Sequence, residues 1–258
     1  MNETPLVLVH GFLGDADDWS EIVPPLSRDR PCIAVDLPGH GTGPEPPPPS
    51  AGAFDAVVRE LASRLERQGL SRFDLLGYSM GGRLAFGLVC RFSSRVRRGV
   101  AIGASPGLPD EAARAARRGL DESRARQLEE VGLERFLDEW YSQPLFRSLT
   151  RSSAFASLLE RRRRGNAAAL AAMLRALSPA RQPYLGDALA RTKVPLLLIA
   201  GSRDTKYVEG NAALAGSSPR IRAVAVPDAG HSVHIERPAE LARIVASFLD
   251  ETEEGNDG

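Results

Sequence analysis

Cysteine is nearly absent from this chain, with only Cys32 and Cys90 among 258 residues. Two cysteines cannot make a disulfide framework. One falls in an apolar strand-like run and the other in a helix-like run, so both are expected to be buried thiols. No CxxC or HExxH pattern occurs, which removes the usual sequence signatures of a zinc site. Long hydrophobic runs are missing too. The chain opens MNETPLVLVHGF, with no basic lead-in and an apolar run of only about five residues, too short for a signal peptide or a membrane span. The expectation is a cytoplasmic protein that does not engage a membrane. Net charge is also lacking. Lys plus Arg and Asp plus Glu number 33 each, so no global field exists to hold nucleic acid or an anionic surface. Any preference for an anion has to come from local groups.

What the sequence does have is short apolar runs at regular intervals: PLVLVH (5–10), PCIAVD (31–36), FDLLGY (73–78), RGVAIGA (98–104), VPLLLIAG (194–201) and IRAVAVP (221–227). Continuous apolar runs of this length suit strands buried on both faces of a parallel sheet. Between them, residues 52–68, 80–92 and 237–249 carry apolar positions at mixed three and four spacing, with breaks at Gly69 and Pro238, and are expected to be helices. The pattern is α/β: a mostly parallel twisted sheet flanked by helices. It fails between 105 and 190, where Arg, Ala, Leu and Glu dominate. The expected organisation is a core made of residues 1–104 and 191–250, an inserted helical cap (lid) at 105–190, and an acidic, frayed tail at 251–258. EPPPPS (45–50) is expected to be a rigid loop.

The chemistry centres on GYSMG (77–81), which lies after an apolar strand and before the helix MGGRLAFGLVC. This G-x-S-x-G elbow is a tight strand-to-helix turn that pushes the Ser79 hydroxyl out beyond the sheet. A serine hydroxyl needs an imidazole to take its proton and an acid to orient that imidazole. Asp204, after VPLLLIAGSR, and His231, in PDAGHSVH, both follow strands and come in the expected order Ser, Asp, His. Asp36 and Asp228 are the competing acids and His234 the competing imidazole; His10 and His40 are expected to be hydrogen-bonded loop residues. HGF (10–12) ends the first strand, so the backbone N–H groups of Phe12 and Met80 are the expected oxyanion hole.

Taken together, VHGFLGDADDW, AVDLPGHG, GYSMGG, AGSRD and AGHSVH resemble the α/β-hydrolase superfamily over nearly the whole chain, with the usual N-terminal hairpin missing or reduced. That scaffold hosts several chemistries. GYSMGGRLAF, ASPGL, DEWYSQPLF and NAAALAAMLRALSPARQP are similar to the menaquinone-pathway family of 2-succinyl-6-hydroxy-2,4-cyclohexadiene-1-carboxylate synthases. The resemblance implies a lyase that eliminates pyruvate from a small-molecule tricarboxylate, with no metal or organic cofactor.

Arg83 stands four residues after Ser79 and so on the same helix face. The resemblance adds Arg117 and Arg161 as carboxylate ligands, and puts Tyr78 and Trp140 near the substrate. Three guanidinium forks would answer three carboxylates. Most of the RRRR run at 161–164 must face water, because successive helix residues point about 100° apart. A serine hydrolase of a carboxylate-bearing substrate remains the alternative reading, and a ligand-binding receptor a more distant one.

Overall fold

The computed structural model describes residues 4–251, and the expected frayed tail lies outside them except for Glu251. Six strands form one sheet: β1 (Leu6–Val9), β2 (Cys32–Val35), β3 (Phe73–Tyr78), β4 (Val96–Ile102), β5 (Leu196–Gly201) and β6 (Ile221–Val226). Their order is β2-β1-β3-β4-β5-β6, and every pairing is parallel. No antiparallel hairpin precedes β1 among the described residues. The central strands β1, β3 and β5 are buried at every position, as their unbroken apolar runs require. Edge strand β6 is buried only at its ends.

Helices cover both faces. On one lie α2 (Ala53–Arg67) and α3 (Met80–Arg91), whose Phe54, Val57, Leu61, Leu84 and Leu88 pack on Val7, Leu75 and Leu198. On the other, α1 (Val23–Leu26) and α10 (Pro238–Asp250) bring Leu26, Leu241, Val245 and Phe248 onto Leu8, Leu76 and Ile199. Each such side chain contributes about 1.5–3 kcal/mol of burial. Gly69, at φ +80, stops α2 in the left-handed conformation that favours glycine. α8 (Thr205–Ala215) connects β5 to β6, and the short α9 (Val233–Glu236) follows β6.

Between β4 and β5 the chain is helical: α4 (Glu111–Tyr141), α5 (Phe155–Arg162), α6 (Ala167–Ala176) and α7 (Gly186–Ala190). α4 bends at Gly132, which has φ 79. Asp110 and Asn166 cap α4 and α6 by accepting from the N–H groups of Ala113 at 2.7 Å and Ala169 at 3.0 Å. The segment has its own apolar cluster, including Leu128, Phe136, Leu137, Leu158 and Leu170, which Leu13 of the β1 loop joins. The cysteines depart from expectation: both are free and only half-buried. Cys32 lies on edge strand β2, and Cys90 on the penultimate residue of α3, where cover is incomplete.

The strand order also locates the site. From β1 the chain steps outward to β2, then returns to place β3 on the other side of β1. Ligands of open α/β sheets bind beyond the carboxyl ends of strands at such a reversal. HGF follows β1 there, and Ser79 follows β3.

Candidate active site

Ser79 sits at the junction of β3 and α3 with φ 49 and ψ −105, a left-handed backbone rare for a residue with a side chain. Two glycines permit the turn. A Cβ on Gly81 would collide with the Val9 carbonyl oxygen, and one on Gly77 with the Gly81 carbonyl oxygen. Asp204 immediately precedes α8, and His231 lies between β6 and α9. His231 Nδ1 donates to Asp204 Oδ2 at 2.7 Å, which leaves Nε2, 3.2 Å from Ser79 Oγ, free to accept the serine proton. The imidazole and carboxylate are buried, at 3% and 6% exposure. Tyr207 and Tyr78 pack on the imidazole, with ring centroids 5.0 and 5.3 Å away.

The competing residues are occupied elsewhere. Asp36 accepts from Ala16 and Thr42 in the loops after β1 and β2, and exposed Asp228 pairs with Arg203. His10 Nε2 accepts from the Leu37 N–H at 3.0 Å, and His40 Nε2 from the Leu13 N–H at 3.2 Å. These two histidines hold the HGF loop in place. His234 is 1% exposed and packs against Tyr78 and Trp19. Burial pulls its pKa down to about 3, so it is neutral. Among the described residues no acceptor takes the N–H of Phe12 or of Met80, and both residues line the cavity above Ser79.

That cavity has a volume of about 500 Å³ and is floored by Ser79 and His231 and roofed by α4 and α6. Arg83, Arg117, Tyr78 and Trp140 all line it. Arg83 donates to the Gln182 side-chain oxygen at 3.0 Å and to the Leu177 carbonyl at 2.7 Å, both neutral acceptors. Burial, followed by the charge of Arg117, lowers its pKa to about 10. Arg117 donates to Asp121 at 2.7 Å, and buried Ser178 donates to the same carboxylate at 2.6 Å. Trp140 packs edge-on to Phe12 at 5.1 Å, and the Tyr78 hydroxyl lies 2.9 Å from Ser232 Oγ.

Arg161 does not join this group. Its guanidinium lies 3.4 Å from Asp18 and lines a separate cleft with Gly14, His40 and Pro46. Its neighbour Arg162 lines the Ser79 cavity as well as that cleft, donating to Asp18 at 2.7 Å and to the Tyr141 hydroxyl at 3.3 Å, with Nη1 unpartnered. One step along α5 rotates the side chain by about 100°, enough for Arg162 and not Arg161 to reach the cavity. Sequence reasoning also missed Arg124, which lines the cavity, donates to Gln143 at 2.6 Å and lies 5.1 Å over the Trp140 ring. The signal was available: Arg124 follows Arg117 by seven residues, two helical turns on the same face. Among the described residues no group of three or more His, Cys, Asp or Glu side chains could hold a metal ion.

Residues 4–238 match the family model described as alpha/beta hydrolase fold. The chain is 36% identical over 244 residues to 2-succinyl-6-hydroxy-2,4-cyclohexadiene-1-carboxylate synthase of Enterobacter sp. (strain 638), covering 95% of this chain and 91% of that protein. It belongs to the 2-succinyl-6-hydroxy-2,4-cyclohexadiene-1-carboxylate synthase family of α/β hydrolases. Another relative is Protein PHYLLO, chloroplastic, of Arabidopsis thaliana, 31% identical over 258 residues; the match takes in 94% of this chain but only 15% of that much longer protein. Among solved structures, MenH from S. aureus superposes with TM-score 0.89 at 29% identity, covering 95% of this chain and 93% of that one. At 95% of this chain, both the Enterobacter match and the superposition take in the core and most of the helices that roof the cavity.

Proposed function

We propose that this protein is a lyase of menaquinone biosynthesis, converting 2-succinyl-5-enolpyruvyl-6-hydroxy-3-cyclohexene-1-carboxylate to 2-succinyl-6-hydroxy-2,4-cyclohexadiene-1-carboxylate and pyruvate. The observation that carries the reading is Arg83: a half-buried guanidinium with only neutral acceptors, beside a serine that an imidazole and a carboxylate can deprotonate. A charge that a bound ligand seals from water without a counterion is costly, and a carboxylate on the ligand removes that cost.

In this mechanism His231, oriented by Asp204, takes the Ser79 proton, and Ser79 oxygen takes the ring proton next to the succinyl ketone. The C–H electron pair moves onto the ketone oxygen, where the N–H groups of Phe12 and Met80 supply the hydrogen bonds. As the enolate collapses, its electrons pass through the ring double bond and break the C–O bond to the enolpyruvyl group. That group leaves and is protonated to pyruvate, while the ring keeps two conjugated double bonds. Serine acts as a base here, and no acyl-enzyme forms. Arg83, Arg117 and Arg124 supply the cationic roof. On α5 Arg162 faces the substrate, and we assign it the part that the resemblance gave to Arg161. Tyr78 and Trp140 shape the apolar wall.

The deciding experiment follows pyruvate release from the enolpyruvyl substrate, with Ser79→Ala as control. Release well above the uncatalysed rate, lost on serine replacement, is the expected result. A p-nitrophenyl ester burst trapped on Ser79, without pyruvate release, would replace this reading with a serine hydrolase. Tight ligand binding with neither activity would replace it with a receptor. The substrate class is a small anionic molecule. Among the described residues no helix is long and apolar enough to cross a membrane.

A further inference from the structure

A second cleft, of about 410 Å³, lies beside Asp204. One wall is the turn after α4, carrying Arg147 and Arg151; the other is the start of α8, carrying Arg203 and Lys206. Leu145 and Lys206 belong to the walls of both this cleft and the Ser79 cavity, so the two spaces adjoin. All four basic side chains are exposed. Arg203 pairs with Asp228 at 2.9 Å, whereas Arg147, Arg151 and Lys206 have no ion-pair partner among the described residues. The carboxylate of Asp204, which also lines the cleft, is engaged by His231. Exposed arginines are ordinarily just solvated. These converge on a concavity that shares Leu145 and Lys206 with the Ser79 cavity, in a chain whose formal charge is zero.

We propose that this cleft is an entry site for anions, in which a carboxylate of the incoming substrate is held before the molecule passes Lys206 and Leu145 to reach Ser79. The identity of the anion rests on the lyase reading above; the site itself rests on the charge and shape of the cleft. Positive charge lining a concave surface raises the local concentration of an anionic ligand and its rate of arrival, and salt screens the effect. Such a site acts on capture and leaves the chemical step alone.

The test compares kcat/KM for pyruvate release, at low and at high salt, in four chains: wild type, Arg147→Gln/Arg151→Gln, Arg147→Glu/Arg151→Glu, and Arg59→Glu/Arg67→Glu. The last reverses two exposed charges on α2, neither of which lines the cavity or the cleft. At low salt kcat/KM is expected to fall about three-fold in the glutamine pair and about ten-fold in the glutamate pair, the lower end of electrostatic steering effects. kcat should stay within about two-fold, and the differences should vanish near 1 M salt, where the Debye length is about 3 Å. The α2 control should match wild type. Equal kcat/KM and equal salt dependence in all four chains overturns the entry site, as does a loss that salt does not remove. Failure of the lyase reading shows separately, because wild type itself would then release no pyruvate.

Discussion

Arg83 and Arg162 both line the cavity above Ser79, and they are held in opposite ways. Arg83, from the core helix α3, ends on two neutral carbonyl oxygens. Burial, with the charge of Arg117 behind it, brings its pKa to about 10. Arg162, from α5, is tied to the buried carboxylate of Asp18. Burial opposes its charge as well, but Asp18 and then Tyr141 outweigh that and hold its pKa above the ordinary arginine value. The difference separates two jobs. A guanidinium with its counterion in place belongs to the fold and fastens α5 to the loop after β1. A guanidinium without one is, in the reading proposed above, left for the ligand, whose anion would complete it. Arg162 has spent its charge on Asp18, yet its unpartnered Nη1 still offers the substrate a hydrogen bond.

The largest expected effect tests whether the relay on the core floor is needed at all by either arginine. Ser79→Ala should lower kcat about 10³-fold or more, roughly 4 kcal/mol of transition-state stabilisation. KM should move little, since every arginine remains. A rise in KM with kcat preserved would mean that Ser79 binds the substrate instead of taking its proton, and steady-state kinetics on pyruvate release distinguishes the two.

Removing the counterion makes Arg162 resemble Arg83. Asp18→Asn leaves a buried guanidinium without its partner, and the expected cost is about 3–5 kcal/mol of stability, read from denaturant unfolding. The same residue predicts a pH dependence. Burial pushes the Asp18 carboxyl up, but Arg162 more than offsets it with help from neighbouring charge, and its pKa ends below 3.8. A carboxylate with a depressed folded pKa contributes stability above its unfolded value and loses it as pH falls through the folded value. Wild type should therefore lose this contribution below about pH 3.8, and Asp18→Asn should lack that part of the acid dependence. Identical acid unfolding curves would show that Asp18 is not the tie.

These two arginines also mark the limit of what the sequence discloses. The floor was legible because its chemistry is written locally. Gly77, Ser79 and Gly81 specify a turn that only small flanking residues allow, and apolar runs place Asp204 and His231 at strand ends. Arg83 was legible through its four-residue offset from Ser79. The roof was not. Within RRRR at 161–164 nothing local says which side chain turns inward; that depends on Asp18, which is 144 residues from Arg162 in sequence and meets it only after α5 packs on the core. Arg124 could have been found from its seven-residue offset from Arg117. The half-burial of Cys32 could not, since it follows from β2 lying at the sheet edge.

Arg83→Gln keeps the length and a hydrogen-bond donor while deleting the charge. If Arg83 answers a substrate carboxylate, kcat/KM should fall about 30- to 100-fold, or 2–3 kcal/mol, mostly through KM. Stability should be unchanged or slightly higher, because the variant removes a half-buried charge that has no ion-pair partner among the described residues. The matching change at Arg162 should do the reverse and weaken the fold. Equal stability losses at the two positions would collapse the distinction between them.

The smallest expected effect falls on a buried residue at the cavity wall whose hydroxyl holds an anchor of the roof. Ser178 is 3% exposed and donates to Asp121 Oδ2 at 2.6 Å, and that oxygen also accepts from Arg117 at 2.7 Å. The other oxygen of Asp121 lies 3.8 Å from Arg124. Asp121 is thus the anchor for two of the roof arginines, and Ser178 helps fix the anchor. Ser178→Ala removes two buried hydrogen bonds, the one to Asp121 and the one Ser178 accepts from the Ala180 N–H at 3.2 Å, with an expected stability cost of about 1–3 kcal/mol. The carboxylate keeps both guanidiniums but gains freedom to rotate, so the arginines meet the substrate less well aligned. KM should rise about three- to five-fold while kcat stays within two-fold, because the relay beneath is untouched. A fall in kcat with KM unchanged would instead mean that Arg117 bears on the reacting bond itself, and the roof would then have to be counted as part of the chemistry as well as of binding.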